Sequence, residues 1–411
     1  MRLYIDPGTG SMLFTILIGI IGASIYSLRM LFIKLRFKLS GGKAEANFQK
    51  IPLAIYSDDK RYWSIFEPVC KELSKRGQSV VYMTSSPDDP ALNSDLPDFQ
   101  AEFIGDDNRA FAKLNFLNAD VLFSTTPGLG VYQWKRSKNI SCYVHIPHMA
   151  NDITLYRMFG LDYYDAILLS GDYQMQQIRG LEQQRGLPAK ELVKVGIPYM
   201  DKMVQRLKAE GPAPEHERTV LLAPSWGSSA IMSVYGGKII ETLLKTGYHV
   251  IIRPHPQSFK SETELMEKLM KEYPESDRLE WNRDTDNFEV LRRSDILISD
   301  FSGVIFDFSL IFDKPIIYTD PRFDVSVYDA WWLEDSLWTL SALPRLGRQL
   351  TQENMENLKE LIDSCLEDPC YAEGRRSVKE ETWAYDGEGA ARAAEYLIRK
   401  CQEVKRAKEE K

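Results

Sequence analysis

From residue 51 onward the chain alternates two rhythms. Short apolar runs, "IPLAIYS", "SVVYMTS", "ADVLFSTT" and "DAILLSG", are separated by stretches such as "YWSIFEPVCKELSKRG", whose apolar residues return every three or four positions. The first rhythm predicts buried strands and the second amphipathic helices, and their alternation predicts a parallel sheet flanked by helices. A polar, proline-containing break, "KAEGPAPEHER" (208–218), closes this series. A second series follows, with strands at "TVLLAPS", "HVIIRPH", "LEWN" and "DILISD" and helices around "GGKIIETLLKTG" and "ETELMEKLMKEY". The expected fold class is α/β with two lobes in tandem, 46–208 and 209–395, and a charged tail over 396–411. The lobes share rhythm rather than words, so no short-period repeat is expected.

Residues 1–45 differ from the rest. "SMLFTILIGIIGASIYSL" (11–28) carries no charge, and its length is close to the roughly 20 residues that span a bilayer as a helix. Arg29, Lys34, Arg36, Lys38 and Lys43 follow it. Positive charge behind the apolar run, with no clear cleavage site, fits an uncleaved N-terminal membrane-anchoring helix in the plasma membrane, with the body on the cytoplasmic side. A buried core helix and a shallow interfacial segment are the other readings.

Composition narrows the function. A net charge of −8 over 411 residues gives no basis for broad attraction to nucleic acid. Cys70, Cys142, Cys365, Cys370 and Cys401 are scattered without CxxC spacing, which points to reduced thiols rather than a disulfide framework or a metal site.

In open α/β sheets ligands bind beyond the carboxyl ends of the strands. The residues just past the apolar runs are Ser124 and Thr125, His145 and His148, Ser225, Arg253 and His255, and Ser299 to Gly303. In "DILISDFSGVIFDFSLIFDKPIIY" (295–318), a strand ending at Ile298 turns through Ser299, Asp300, Phe301 and Ser302 into a helix. Ser302 suits a helix cap, and Gly303 leaves room for a diphosphate against free backbone N–H groups. An ordinary strand-to-helix turn uses the same residues. In "IIRPHPQS", prolines hold Arg253 and His255 extended, as a pair suited to a shared oxyanion. Arg253 could instead pair with an acid. "CYVHIPHM" puts His148 at the mouth as candidate general base, with His145 as either a structural or a functional partner. HxxH without a third ligand is a weak zinc signal.

These motifs, with "LLAPSWG" and "VKVGIPYMDKM" between them, resemble the CDP-glycerol glycerophosphotransferases of teichoic-acid-type polymer synthesis over residues 120–395. The resemblance implies a GT-B-like fold of two Rossmann-like lobes, with the nucleotide on the second and no cofactor or metal. The family's R-x-H-P histidine and arginine correspond to His255 and Arg253. The D-Y-S-S acid and first serine correspond to Asp300 and Ser302, and the following F-D acid to Asp307. The W-H-G histidine falls on His148. Pro147 and Met149 replace the Trp and Gly around it, Gly303 replaces the second serine, and "ANDITLYR" stands where Pro-Leu-Lys is usual. The donor motifs are thus retained while the acceptor motif has diverged.

The implied reaction moves an alditol phosphate from a CDP-alditol to a hydroxyl of a lipid-linked glycan acceptor at the membrane and releases CMP. His148 and His255 are its candidate catalytic residues. Arg253, Ser225, Ser299, Asp300, Ser302, Gly303 and Asp307 are candidate substrate-binding residues, the two acids holding the turn or bonding ribose hydroxyls. The competing classes are a GT-B-like sugar transferase or UDP-sugar epimerase, a membrane-tethered non-catalytic nucleotide-binding protein, and a zinc hydrolase using His145 and His148. A homo-oligomer is compatible with each.

Overall fold

The computed structural model describes residues 50–410, apart from 285, 320–324 and 335. The apolar stretch 11–28, expected to anchor the chain, lies outside the described residues. Among those described, no helix is long and apolar enough to cross a membrane.

Seven strands form the first sheet: β1 (Ile51–Ser57), β2 (Val80–Thr84), β3 (Phe99–Phe103), β4 (Ala119–Ser124), β5 (Ile140–His145), β6 (Ala166–Leu169) and β7 (Glu191–Lys194). Their order is β3-β2-β1-β4-β5-β6-β7 and every pairing is parallel. Six strands form the second: β8 (Thr219–Leu222), β9 (His249–Ile252), β10 (Leu279–Trp281), β11 (Ile296–Ser299), β12 (Ile316–Thr319) and β13 (Gly347–Leu350). Its order, β10-β9-β8-β11-β12-β13, is again all parallel. The strand order of each sheet reverses beside its first strand, which places a crevice between β1 and β4 and another between β8 and β11.

Strands covered on both faces should be apolar throughout, with alternate residues serving opposite cores. Leu53 and Ile55 enter one cluster of the first lobe, whereas Ala54 and Tyr56 enter the other. In the second lobe Leu221 and Leu297 face one core, while Val220, Leu222, Ile296 and Ile298 face the other. Register keeps the layers level: Ile55 pairs with both Tyr82 and Phe123, and Leu221 with both Ile251 and Leu297.

The helices at the junction of the lobes and around it are α1 (Trp63–Lys75), α2 (Asp172–Arg185), α3 (Pro198–Glu210), α4 (Trp338–Leu346), α5 (Cys370–Thr382) and α6 (Gly389–Glu409). Asp152, in the loop following β5, reaches across to accept the Trp338 and Thr339 N–H groups at 2.7 and 2.8 Å, satisfying donors that the first turn of α4 leaves open. Tyr173 of α2 stacks on Trp338 with ring centroids 4.1 Å apart. Arg185 pairs with Asp162 at 2.5 Å and with Asp329 at 2.6 Å, all three well covered. A buried charge triad of this kind is costly to break, because removing one member leaves another charge unpaired.

After α5 the chain returns to the first lobe. The last turn of α5 and the residues after it pass so close to Gly171 and Gly196 that a Cβ on either would lie 2.2 Å from the Glu381 or Ala384 carbonyl oxygen, respectively. Asp201 of α3 then accepts from the Trp383 indole and from the Gly387 and Gly389 N–H groups, each at 2.8 Å, fixing the start of α6. The charged tail expected over 396–411 is instead helical to Glu409, and the polypeptide beyond 395 belongs with the first lobe. Ala393, Tyr396, Leu397 and Cys401 form an apolar stripe at helical spacing, buried against β1, β4 and α1. Its charges lie on the rim, where Arg399 and Lys400 meet Glu191.

Candidate functional site

In the second lobe the ligand-facing edge is organised by Asp300, which is wholly buried. Its carboxylate accepts from the Ser225 N–H (3.0 and 3.1 Å), the Ile231 N–H (3.1 Å) and its neighbour Phe301 N–H (2.8 Å). It thereby ties the loop after β8 to the turn after β11 across the crevice. Burial pushes this carboxyl up while those hydrogen bonds pull it down. Of the two roles expected for Asp300, the geometry favours holding the turn. Ser299 is equally internal, its hydroxyl donating to the Ala223 carbonyl at 2.6 Å.

The helix after the turn begins at Val304 and becomes a π-helix over Asp307–Ile311. Ser302, expected to cap it, makes no capping bond; Gly303 occupies the cap position with helical backbone angles. Gly303 has a steric reason to lack a side chain. A Cβ there would come within 3.3 Å of both Met149 Cβ and Asn151 Oδ1 from the loop after β5. Met149 and Gly303, two positions at which the chain departs from the expected motifs, therefore face each other.

Two expected ligand contacts point elsewhere. Asp307 lies in the core, accepting from the Tyr199 hydroxyl at 2.7 Å and the Asn287 amide at 3.5 Å, and burial pushes its carboxyl up to about 6. The helical turn from Gly303 carries it toward α3 and away from the strand ends. Arg253 donates to the Asn282 side chain and, at 2.7 Å, to the Asp284 carbonyl, so two arms of its fork brace the loop after β10. His255 is half-buried at the edge. Its Nδ1 accepts the Gln257 N–H at 3.1 Å, which leaves the proton of the neutral ring on Nε2. Burial, and secondarily the Arg61 charge, lower it to about 4, so the ring is neutral at physiological pH.

In the first lobe β5 ends at His145, and His148 follows in the loop at the mouth. The Tyr156 hydroxyl bridges them, 3.3 Å from His145 Nε2 and 3.2 Å from His148 Nδ1. His145 is wholly buried and held neutral by desolvation, which identifies it as the inner support of the pair. His148 is half-buried, with its ring centroid 5.0 Å from that of Tyr62. Burial lowers it to about 4, with Arg61 adding to the shift and the Thr125 carbonyl opposing it. A neutral histidine at the mouth can accept a proton, provided that its own proton sits on Nδ1 toward Tyr156. Among the described residues, no group of three or more His, Cys, Asp or Glu converges as a metal site would require.

The loop after β1 completes this edge and was not singled out from sequence. Asp58 accepts from the Thr126 hydroxyl at 2.7 Å, closing the floor of the β1/β4 crevice. Arg61 and Tyr62 stand beside His148. Reading past the run "IPLAIYS" as past the others would have found "DDKRY". Tyr156 carried no such signal, because it meets the histidines only through the folded loop.

The architecture now has relatives. The profile of the family described as CDP-Glycerol:Poly(glycerophosphate) glycerophosphotransferase matches residues 144–399, more than half of the chain. The chain belongs to this family. The matched segment contains His148, Arg253, His255, Asp300 and Gly303 and begins after the Asp58–Tyr62 loop. The teichoic acid glycerol-phosphate primase of Bacillus spizizenii strain W23 is 27% identical over 149 residues, covering 33% of this chain and 35% of the primase. The match thus spans about a third of that relative's length. The solved structure of the wall teichoic acid polymerase TagF superposes with a TM-score of 0.55 at 14% identity, covering 92% of this chain and 98% of that one. UDP-GlcNAc 2-epimerase from Methanocaldococcus jannaschii, in complex with UDP-GlcNAc and UDP, gives 0.56 at 13% identity over 84% and 99%. At such identities these structures establish the two-lobed, GT-B-like α/β fold alone. They do not distinguish phosphotransferase from epimerase, and the family match carries that distinction.

Proposed function

We propose that this protein transfers glycerol phosphate from CDP-glycerol to a hydroxyl of a teichoic-acid-type acceptor, releasing CMP. The observation that carries the reading is the family match over residues 144–399, which holds both His148, in the loop after β5, and His255, in the loop after β9, each half-buried at its strand-end edge. The CDP moiety sits against the second lobe, with its diphosphate near His255 and the Ser302–Gly303 turn that Asp300 holds rigid. The acceptor enters from the His148 side.

His148 Nε2 takes the proton of the acceptor hydroxyl as that oxygen attacks the phosphorus bearing the glycerol. The bond from that phosphorus to the bridging oxygen breaks, and CMP leaves with the electron pair. His255 Nε2–H donates a hydrogen bond to the departing phosphate, stabilising charge where it develops. The acceptor is lipid-linked and the body works beside a plasma membrane to which residues 11–28 anchor it. That part of the reading is supported by the apolar run and the cationic residues behind it. Truncation to residue 46 should leave transfer to short soluble acceptors intact while lowering transfer to membrane-borne ones; equal loss on both would remove the anchor from the account.

The transfer reading is tested by incubating the purified chain with CDP-glycerol and a glycerol-phosphate-primed acceptor. CMP should appear in step with an acceptor mass gain of one glycerol phosphate. Nucleotide binding without turnover would favour a non-catalytic role.

A further inference from the structure

The loop after β1, Asp58 to Tyr62, lies outside the family-matched segment and at the crevice of the first sheet. Asp59 caps its single helical turn, accepting the Arg61 N–H at 2.9 Å. The same carboxylate holds the Arg61 guanidinium in a two-pronged fork, Nε to Oδ1 at 2.9 Å and Nη2 to Oδ2 at 3.1 Å. Both side chains are substantially exposed, 42% and 30%. An exposed ion pair contributes little to stability, a two-pronged one toward the upper end of that small range, which a more highly charged phosphate can outweigh.

Its location is what separates it from other surface pairs. The guanidinium lies 5.9 Å from the centre of the Tyr62 ring, and that ring lies 5.0 Å from His148. The Arg61 charge is felt both at His148 and, across the lobes, at His255, while Lys260, in the helical turn that follows His255, acts on Asp59. The fork presented to Asp59 also matches two oxygens of a phosphate. Arg253, the cation expected at this position, is largely committed to Asn282 and Asp284.

We propose that Arg61 is a substrate-binding residue that exchanges Asp59 for two non-bridging oxygens of the phosphate lying between His148 and His255, with Asp59 serving as its resting place when the cleft is empty. This rests on the transfer reading above and deepens it. It assigns to the first lobe the cation that recognises the donor diphosphate.

The test uses the full chain and three variants, Arg61→Gln, Arg61→Lys and Asp59→Asn, with CDP-glycerol binding and CMP release as readouts. Arg61→Gln should lower kcat/KM by on the order of 10² to 10³, with Arg61→Lys recovering part of the loss as a point charge without the fork. Asp59→Asn should keep or improve donor affinity, because it releases the guanidinium. A merely structural ion pair would instead make Arg61→Gln and Asp59→Asn equally harmful, and that result would overturn the proposal.

A second readout is the pH profile. His148 faces Arg61, Tyr62, Tyr156, His145 and the Thr125 carbonyl; His255 faces Arg61, Glu262 and the Gln257 N–H. Removing Arg61 takes away a charge that lowers both histidines, so the acid limb of kcat/KM should move upward. Wild-type-like kcat/KM and an unmoved limb in Arg61→Gln would also overturn the assignment. Absence of CMP release by the unaltered chain would refute the transfer reading instead, and the two failures are distinguishable.

Discussion

The two ligand-facing edges are built by opposite means. In the second lobe a buried carboxylate, Asp300, gathers backbone N–H groups from three residues, so the edge is held by the main chain itself. In the first lobe, side chains hold one another: Tyr62, Tyr156, His145 and His148 touch ring to ring and through a single phenol. A main-chain clamp suits a ligand whose position never changes, such as a nucleotide diphosphate. A side-chain cluster can be altered residue by residue, which suits the acceptor side proposed for this edge. The contrast matches the sequence, in which the donor motifs are retained and the residues flanking His148 have changed.

The largest expected effect tests whether both edges carry chemistry. His148→Ala and His255→Ala should each lower kcat by about 10² to 10⁴, the range for a general base or an oxyanion-stabilising donor, with unfolding midpoints near that of the unaltered protein. Near-normal kcat in either would confine the chemistry to the other lobe. Asp300→Ala should act on the fold instead. Two buried N–H groups, of Ser225 and Ile231, lose their acceptor at roughly 1 to 3 kcal/mol each, and the part-buried Phe301 N–H loses its own, so a loss on the order of 2 kcal/mol or more in denaturant titration is expected. A change under about 1 kcal/mol would mean that the clamp is not what holds the turn.

Tyr156→Phe separates positioning from packing. The phenyl ring preserves the contacts with His145 and His148 but removes the hydroxyl between them, so kcat should fall roughly 10- to 100-fold with little change in KM. Unchanged kcat would leave His148 oriented by Thr125 and Tyr62 alone. The pH profile bears on the same edge: with His148 near 4, kcat/KM should be level from about pH 5 upward and fall only below that as the base protonates. A limb near the ordinary histidine value of about 6.5 would show that burial does not act on the catalytic ring.

Asp307 should have the smallest effect on catalysis. Asp307→Asn should keep donor KM within about twofold, since this side chain bonds Tyr199 and Asn287. Its folded-state carboxyl is raised above the unfolded value of 3.8 to about 6, so the folded state binds the proton more tightly. Its contribution to stability is present below pH 3.8 and is lost as pH rises through about 6, at most about 3 kcal/mol. The asparagine variant should lack that pH dependence; a large rise in donor KM would return Asp307 to the ligand edge.

Much of this molecule was legible in its sequence because parallel strands buried on both faces read as unbroken apolar runs. The positions following those runs are the strand ends, and His148, His255, Ser225 and the 299–303 turn were found that way. What strand-end position does not reveal is the direction of a side chain. Ser299 turns inward to the backbone just past β8, Arg253 turns to the next loop, and a further helical turn takes Asp307 into the core. The same limit hid α6: Lys and Arg at its end made the segment read as a solvated tail, while Ala393, Leu397 and Cys401 covered the first lobe. Tyr156 became visible only when the fold brought it beside His148, whereas Arg61 follows the first apolar run and was open to the same strand-end reading.

The central claim is that two neutral histidines from facing lobes act on one CDP-activated donor, and product analysis of a single reaction addresses it most directly. With CDP-glycerol, a primed acceptor and the purified chain, mass spectrometry should find one CMP released for each glycerol phosphate gained, with both signals lost in His148→Ala and His255→Ala. Turnover of a UDP-sugar in place of CDP-glycerol, or transfer that survives both substitutions, would contradict it.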